Sequence, residues 1–131
     1  MADTGFRVLV AGSDNWDDGH TVFRVLNEIL NEQGTPFTVI TGGHERGAGQ
    51  ITRMWCQVHP AGMIHLKARP GRPFTALAGA YAPNLVVAFL MPCRRTGCWC
   101  GGLGWDHGPD DAVQYARAQG IPVRTLEAVT F

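Results

Sequence analysis

The amino-acid sequence predicts a single α/β domain, Rossmann-like and doubly wound, with about five mainly parallel strands. Short apolar runs alternate along the chain with longer stretches that carry helical signals, the pattern of parallel strands joined by crossover helices. The apolar runs are nearly continuous, as expected for strands that are covered on both faces. Because 131 residues with 45% hydrophobic content suffice for one packed core, we assign residues 1–131 to one domain.

Five apolar runs predict the strands of this sheet. They span residues 6–11, 37–41, 63–66, 85–90 and 122–126. The runs that start at Phe6, Phe37 and Leu85 are the most apolar, so we expect them to be adjacent central strands of one parallel sheet.

Four stretches between the strands predict helices. Three of them show apolar residues at helical spacing. These residues are Val22, Leu26, Ile29 and Leu30; then Ala48, Ile51, Trp55 and Val58; then Phe74, Leu77, Ala78 and Tyr81. The fourth, GPDDAVQYARAQG, has Pro109 suited to the first helical position and Gly120 suited to the stop. Asp110 and Asp111 would complement its positive end.

The composition excludes some classes of binding partner. The formal net charge is zero, so no overall field would draw the protein to nucleic acid or to an anionic membrane. The start MADTGFRVLVAGS has an acidic residue where a signal peptide carries basic ones, and its apolar run is too short for one. No stretch approaches the length of a membrane span. We therefore expect a cytoplasmic protein with neither a membrane nor a nucleic acid as its partner.

The loop after the first predicted strand reads GSDNWDD. Gly12 allows a tight turn, and Ser13 with the following amides is placed to face a phosphate at a helix N-terminus. Trp16 is a candidate to stack on a base or ring. The alternative is that Ser13 or Asp17 is a plain N-cap and that Trp16 packs against its own helix.

A glycine-rich corner follows the second predicted strand, in the stretch FTVITGGHERGAG. Gly42 and Gly43 stand where the strand should end, and Gly47 stands where the next helix should begin. Such a corner presents backbone N–H groups to an anion and lets it approach closely. Arg46 would add a charged, planar fork for a phosphate or carboxylate. The alternative is a glycine-rich turn with a solvated arginine.

Together, the two loops resemble those of a known family. GSDNW after the first strand, the GG-x-x-RGAG segment after the second, Trp55, the LVVAF strand and the A-x-x-x-GIPV ending are similar to the small YspA/cpYpsA-related proteins of the SLOG superfamily. These are Rossmann-like domains thought to bind nucleotides or nucleotide-derived ligands. The resemblance runs from Phe6 to about Leu126, and it implies a ligand pocket. The implied pocket residues are Gly12, Ser13, Gly42, Gly43, Arg46 and Gly47.

The resemblance implies a sensor, a sequestering protein or an accessory nucleotide-processing factor. Because Lys67 is the only lysine among 11 basic residues, the composition also suggests a phage-borne or actinobacterial accessory protein. The chain departs from the family pattern at Asp14, where the family usually carries arginine, and at Gly49, where it usually carries aspartate. These departures leave the ligand's identity open.

Catalysis is a second hypothesis. Related phosphoribohydrolases carry a PGGxGT motif with a catalytic glutamate, which GGHERGAG does not match. An N-glycosidase or phosphoribohydrolase acting on a nucleotide would use Glu45 or Asp111 as its acid or base.

The segment 92–108 is rich in cysteine and glycine and resembles an insertion relative to that family. Cys93, Cys98, Cys100 and His107 form a Cys3His set that suits zinc. Their spacing is not that of a standard finger, and free surface thiols are the alternative. A third hypothesis is therefore a zinc-stabilised interaction module. We also expect a homo-oligomer, since single domains of this size often pair in two-fold dimers.

Overall fold

The structure, a computed structural model, describes residues 5–13, 16–42, 47–66, 81–91 and 107–127. In these ranges it contains five strands and three helices. They are β1 (Phe6–Gly12), α1 (Gly19–Gln33), β2 (Phe37–Gly42), α2 (Gly47–Val58), β3 (Gly62–Leu66), β4 (Leu85–Leu90), α3 (His107–Gln119) and β5 (Val123–Glu127). The additional helix predicted from Phe74, Leu77 and Ala78 lies outside the described residues.

The five strands form one sheet in the order β3-β2-β1-β4-β5, and every pair of neighbours is parallel. In the centre of the sheet, Leu9 of β1 lies beside Ile40 of β2 on one side and Val86 of β4 on the other. The predicted fold class is confirmed, and so is the prediction that the runs from Phe6, Phe37 and Leu85 are adjacent central strands.

The core lies on both faces of the sheet because successive side chains of a strand point in opposite directions. Val8 and Val10 of β1 belong to the apolar cluster beneath α1 and α2. Leu9 belongs to a second cluster, which includes Ala112 and Ala116 of α3. The molecule therefore has three layers, with α1 and α2 on one face of the sheet and α3 on the other. All six residues of β4 are buried, which explains why its sequence is uniformly apolar.

Trp55 joins α2 to α1. Its indole Nε1 donates a hydrogen bond to Asn27 Oδ1 at 2.9 Å, and its ring stacks on His59 with a centroid distance of 4.4 Å. The predicted stripe of α2 was wrong at its last position, because the Val58 side chain is 71% exposed. His59, the residue just beyond the end of α2, packs on the Trp55 ring instead.

The end of α3 confirms the predicted stop at Gly120. This glycine has a φ of 71°, which disfavours any side chain. Gly120 N–H donates to Arg117 O at 3.3 Å and Ile121 N–H donates to Ala116 O at 2.9 Å, the two bonds of a Schellman motif. The start of α3 differs from the prediction, since the helix begins at His107 and Pro109 is its third residue. The first turn tolerates proline because its N–H groups need no intrahelical acceptor.

Candidate functional site

The strand order places a candidate site at one edge of the sheet. The connections run outward from β1 through β2 to β3, and then from β4 to β5, so the chain changes direction between β1 and β4. Ligands of such sheets bind outside the carboxyl ends of the strands at this switch point. The strand ends there are Gly12 of β1 and Leu90 of β4, and β2 ends beside them at Gly42.

Gly12 brings the end of β1 against the first turn of α2. A Cβ atom added at Gly12 would lie 2.2 Å from Ala48 Cβ and 3.3 Å from Phe89 Cβ. Only glycine permits this approach, since real Cβ contacts are not shorter than about 3 Å. The sequence predicted glycine at this position for a tight turn, whereas the structure adds close packing between a strand and a distant helix.

Backbone hydrogen bonds of Ser13 connect the loop after β1 with β4 and with α2. Its N–H donates to Phe89 O of β4 at 3.1 Å. Its carbonyl accepts from Ala48 N–H of α2 at 3.2 Å and from Trp16 N–H at 3.2 Å. The residue is 1% exposed. The loop after β1 and the N-terminus of α2, which the sequence predicted to form one pocket, are therefore joined by a direct hydrogen bond.

The N-terminus of α2 is suited to an anion. Gly47 opens the helix with a φ of 72°, a conformation that L side chains rarely adopt. The first turn contains no acidic residue, so nothing in it opposes the positive end of the helix dipole. Gly43 and Arg46 lie outside the described residues, between Gly42 and Gly47.

Trp16 is buried, with 4% of its surface exposed. Its ring lies 5.2 Å from the Phe89 ring, and its Nε1 donates to Asp18 O at 3.0 Å. These contacts fit the packing role, and they leave little of the ring for a ligand.

Asp18 caps the N-terminus of α1. Its carboxylate accepts hydrogen bonds from Thr21 N–H at 3.1 Å and from the Thr21 hydroxyl. The sequence interpretation named Ser13 or Asp17 as the cap and was wrong, because α1 begins only at Gly19 and the residue before it is Asp18. The bond from the Thr21 hydroxyl, followed by that from Thr21 N–H, lowers the pKa of Asp18 below its ordinary value.

Replacing Asp18 by alanine should lower the free energy of unfolding by about 1 kcal/mol at neutral pH, the usual value of an N-cap. A lowered folded-state pKa means that the charge-dependent part is fully present above the ordinary pKa of 3.8. That part is lost as the pH falls through the lower folded value. Urea denaturation from pH 7 to pH 2.5 should therefore show the wild-type advantage shrinking below about pH 4. The control is Asp18→Asn, which keeps a capping oxygen, and a wild-type advantage that grew at low pH would contradict this assignment.

The catalytic and metal candidates lie elsewhere or outside the described residues. Asp111 is exposed on α3, on the opposite face of the sheet from α2. Glu45 is outside the described residues. Cys93, Cys98 and Cys100 are also outside them, as is the side chain of His107, although its backbone begins α3. The zinc site stays a prediction.

Cys56 is the one cysteine among the described residues, and it is a free thiol. Burial raises its pKa to about 11. The thiol is therefore protonated at neutral pH and a poor nucleophile.

The sequence analysis did not identify Ala48 as part of the site. It counted this residue only as a member of the apolar stripe of α2. The available signal was its position in the run Gly47-Ala48-Gly49 at a helix start, where three small residues permit another backbone to approach.

None of the helices in the described ranges is long and apolar enough to cross a membrane.

Comparison with known proteins identifies a family for part of the chain. Neither the curated proteins nor the solved structures contain a significant match. A family model matches residues 6–69, the segment that runs from β1 through α1, β2 and α2 to just beyond β3. This segment contains both loops of the candidate site, and over these residues the match confirms the resemblance noted in the sequence: residues 6–69 match the model of the YspA, cpYpsA-related SLOG family.

Proposed function

We propose that this protein binds a nucleotide or a nucleotide-derived small molecule at the carboxyl edge of its sheet. The observation that carries the proposal is the hydrogen bond from Ala48 N–H to Ser13 O, at 3.2 Å. It joins the loop after β1 to the first turn of α2, and both lie in the segment that matches the SLOG family. A Rossmann-like fold with family loops at this edge supports small-molecule binding there.

The anionic group of the ligand is assigned to the N-terminus of α2. The helix dipole and the first-turn N–H groups other than that of Ala48, which donates to Ser13 O, favour a negative charge at this end. Gly47 carries no side chain that would keep a ligand at a distance. Arg46 directly precedes Gly47 in the sequence, and its guanidinium would supply a bidentate, charge-assisted contact.

The direct experiment is identification of a ligand that copurifies with the protein. The purified protein is denatured and the released small molecules are identified by mass spectrometry. A nucleotide present in near-stoichiometric amount supports the proposal. Incubation of the native protein with nucleoside monophosphates, followed by chromatography for free base, tests the N-glycosidase or phosphoribohydrolase alternative. A protein that carries no nucleotide and binds none in titration would contradict the proposed function.

Arg46→Ala should weaken the binding of a phosphorylated ligand by about 1.5–3 kcal/mol, the range for hydrogen bonds to charged groups. Arg46→Lys should recover only part of this loss, because lysine lacks the planar fork. Isothermal titration calorimetry on each variant measures the effect, and thermal melts should show little change in stability.

The matched control is Arg117→Ala. Arg117 is exposed in the last turn of α3, on the other face of the sheet, so its removal should leave affinity unchanged. If Arg46→Ala left affinity intact and greatly lowered stability, Arg46 would be a structural residue and the site would lie elsewhere.

A further inference from the structure

We draw no further inference here: the strongest candidate, the exposed apolar surface patch that Met54 and Val58 form one turn apart on α2, carries nothing, because nothing in the structure shows what covers it.

Discussion

Trp55→Ala is expected to lower the free energy of unfolding by about 3–5 kcal/mol, the range for removal of a buried tryptophan. Trp55 is fully buried. Its ring packs edge-on to Phe37 of β2 at a centroid distance of 5.9 Å and stacks on His59. The substitution leaves a cavity between α2 and the sheet and deprives Asn27 of its partner. Guanidinium denaturation followed by circular dichroism measures the loss.

The control for this prediction is the preceding residue on the same helix. Met54 is 53% exposed, so Met54→Ala should change stability by no more than about 0.5 kcal/mol. Trp55→Phe keeps an aromatic ring and removes the donor to Asn27, and it should fall between the two. If alanine at positions 54 and 55 lowered the free energy of unfolding equally, α2 would pack on the sheet through another face.

Gly12→Ala should be the second most damaging substitution. The new methyl group would lie 2.2 Å from Ala48 Cβ, and neither the strand nor the helix can move aside without breaking backbone hydrogen bonds. Overpacking of a core costs about 1–3 kcal/mol and occasionally more, and we expect this variant at or above the upper end. The same substitution should weaken ligand binding, because it separates Ala48 N–H from Ser13 O. Denaturant melts and ligand titrations measure the two effects.

The double variant Gly12→Ala with Ala48→Gly tests whether the clash with Ala48 causes the loss of stability in Gly12→Ala. Removal of the Ala48 methyl group relieves the shortest contact and leaves the one to Phe89 Cβ at 3.3 Å. Ala48→Gly alone should cost about 1 kcal/mol, the penalty of glycine in a helix. The double variant should be more stable than Gly12→Ala, and a double-mutant cycle gives the coupling energy. Strictly additive effects would show that the two positions are not in contact.

Much of the fold was predictable because local patterns report burial. Continuous apolar runs such as 85–90 mark strands that are covered on both faces, and β4 is indeed buried throughout. Gly120 marked a helix end because only glycine suits its positive φ. For the site, the positions of Gly12, Ser13, Gly42 and Gly47 at strand and helix ends followed from the same boundaries. The residues that they contact did not follow, since the boundary of a strand or helix indicates where the chain turns but not which distant residues it will contact.

The amino-acid sequence by itself determined the α/β class, the central strands and the two loops that carry the family resemblance. Only the tertiary structure decided that Gly12 meets Ala48, that Trp16 faces Phe89 and that Asp18 caps α1. The physical reason is the range of the interactions. Periodicity and turn chemistry depend on residues a few positions apart, which a sequence displays directly. The contact of residue 12 with residue 48 exists only after β1 and β2 have paired and α2 has packed across them.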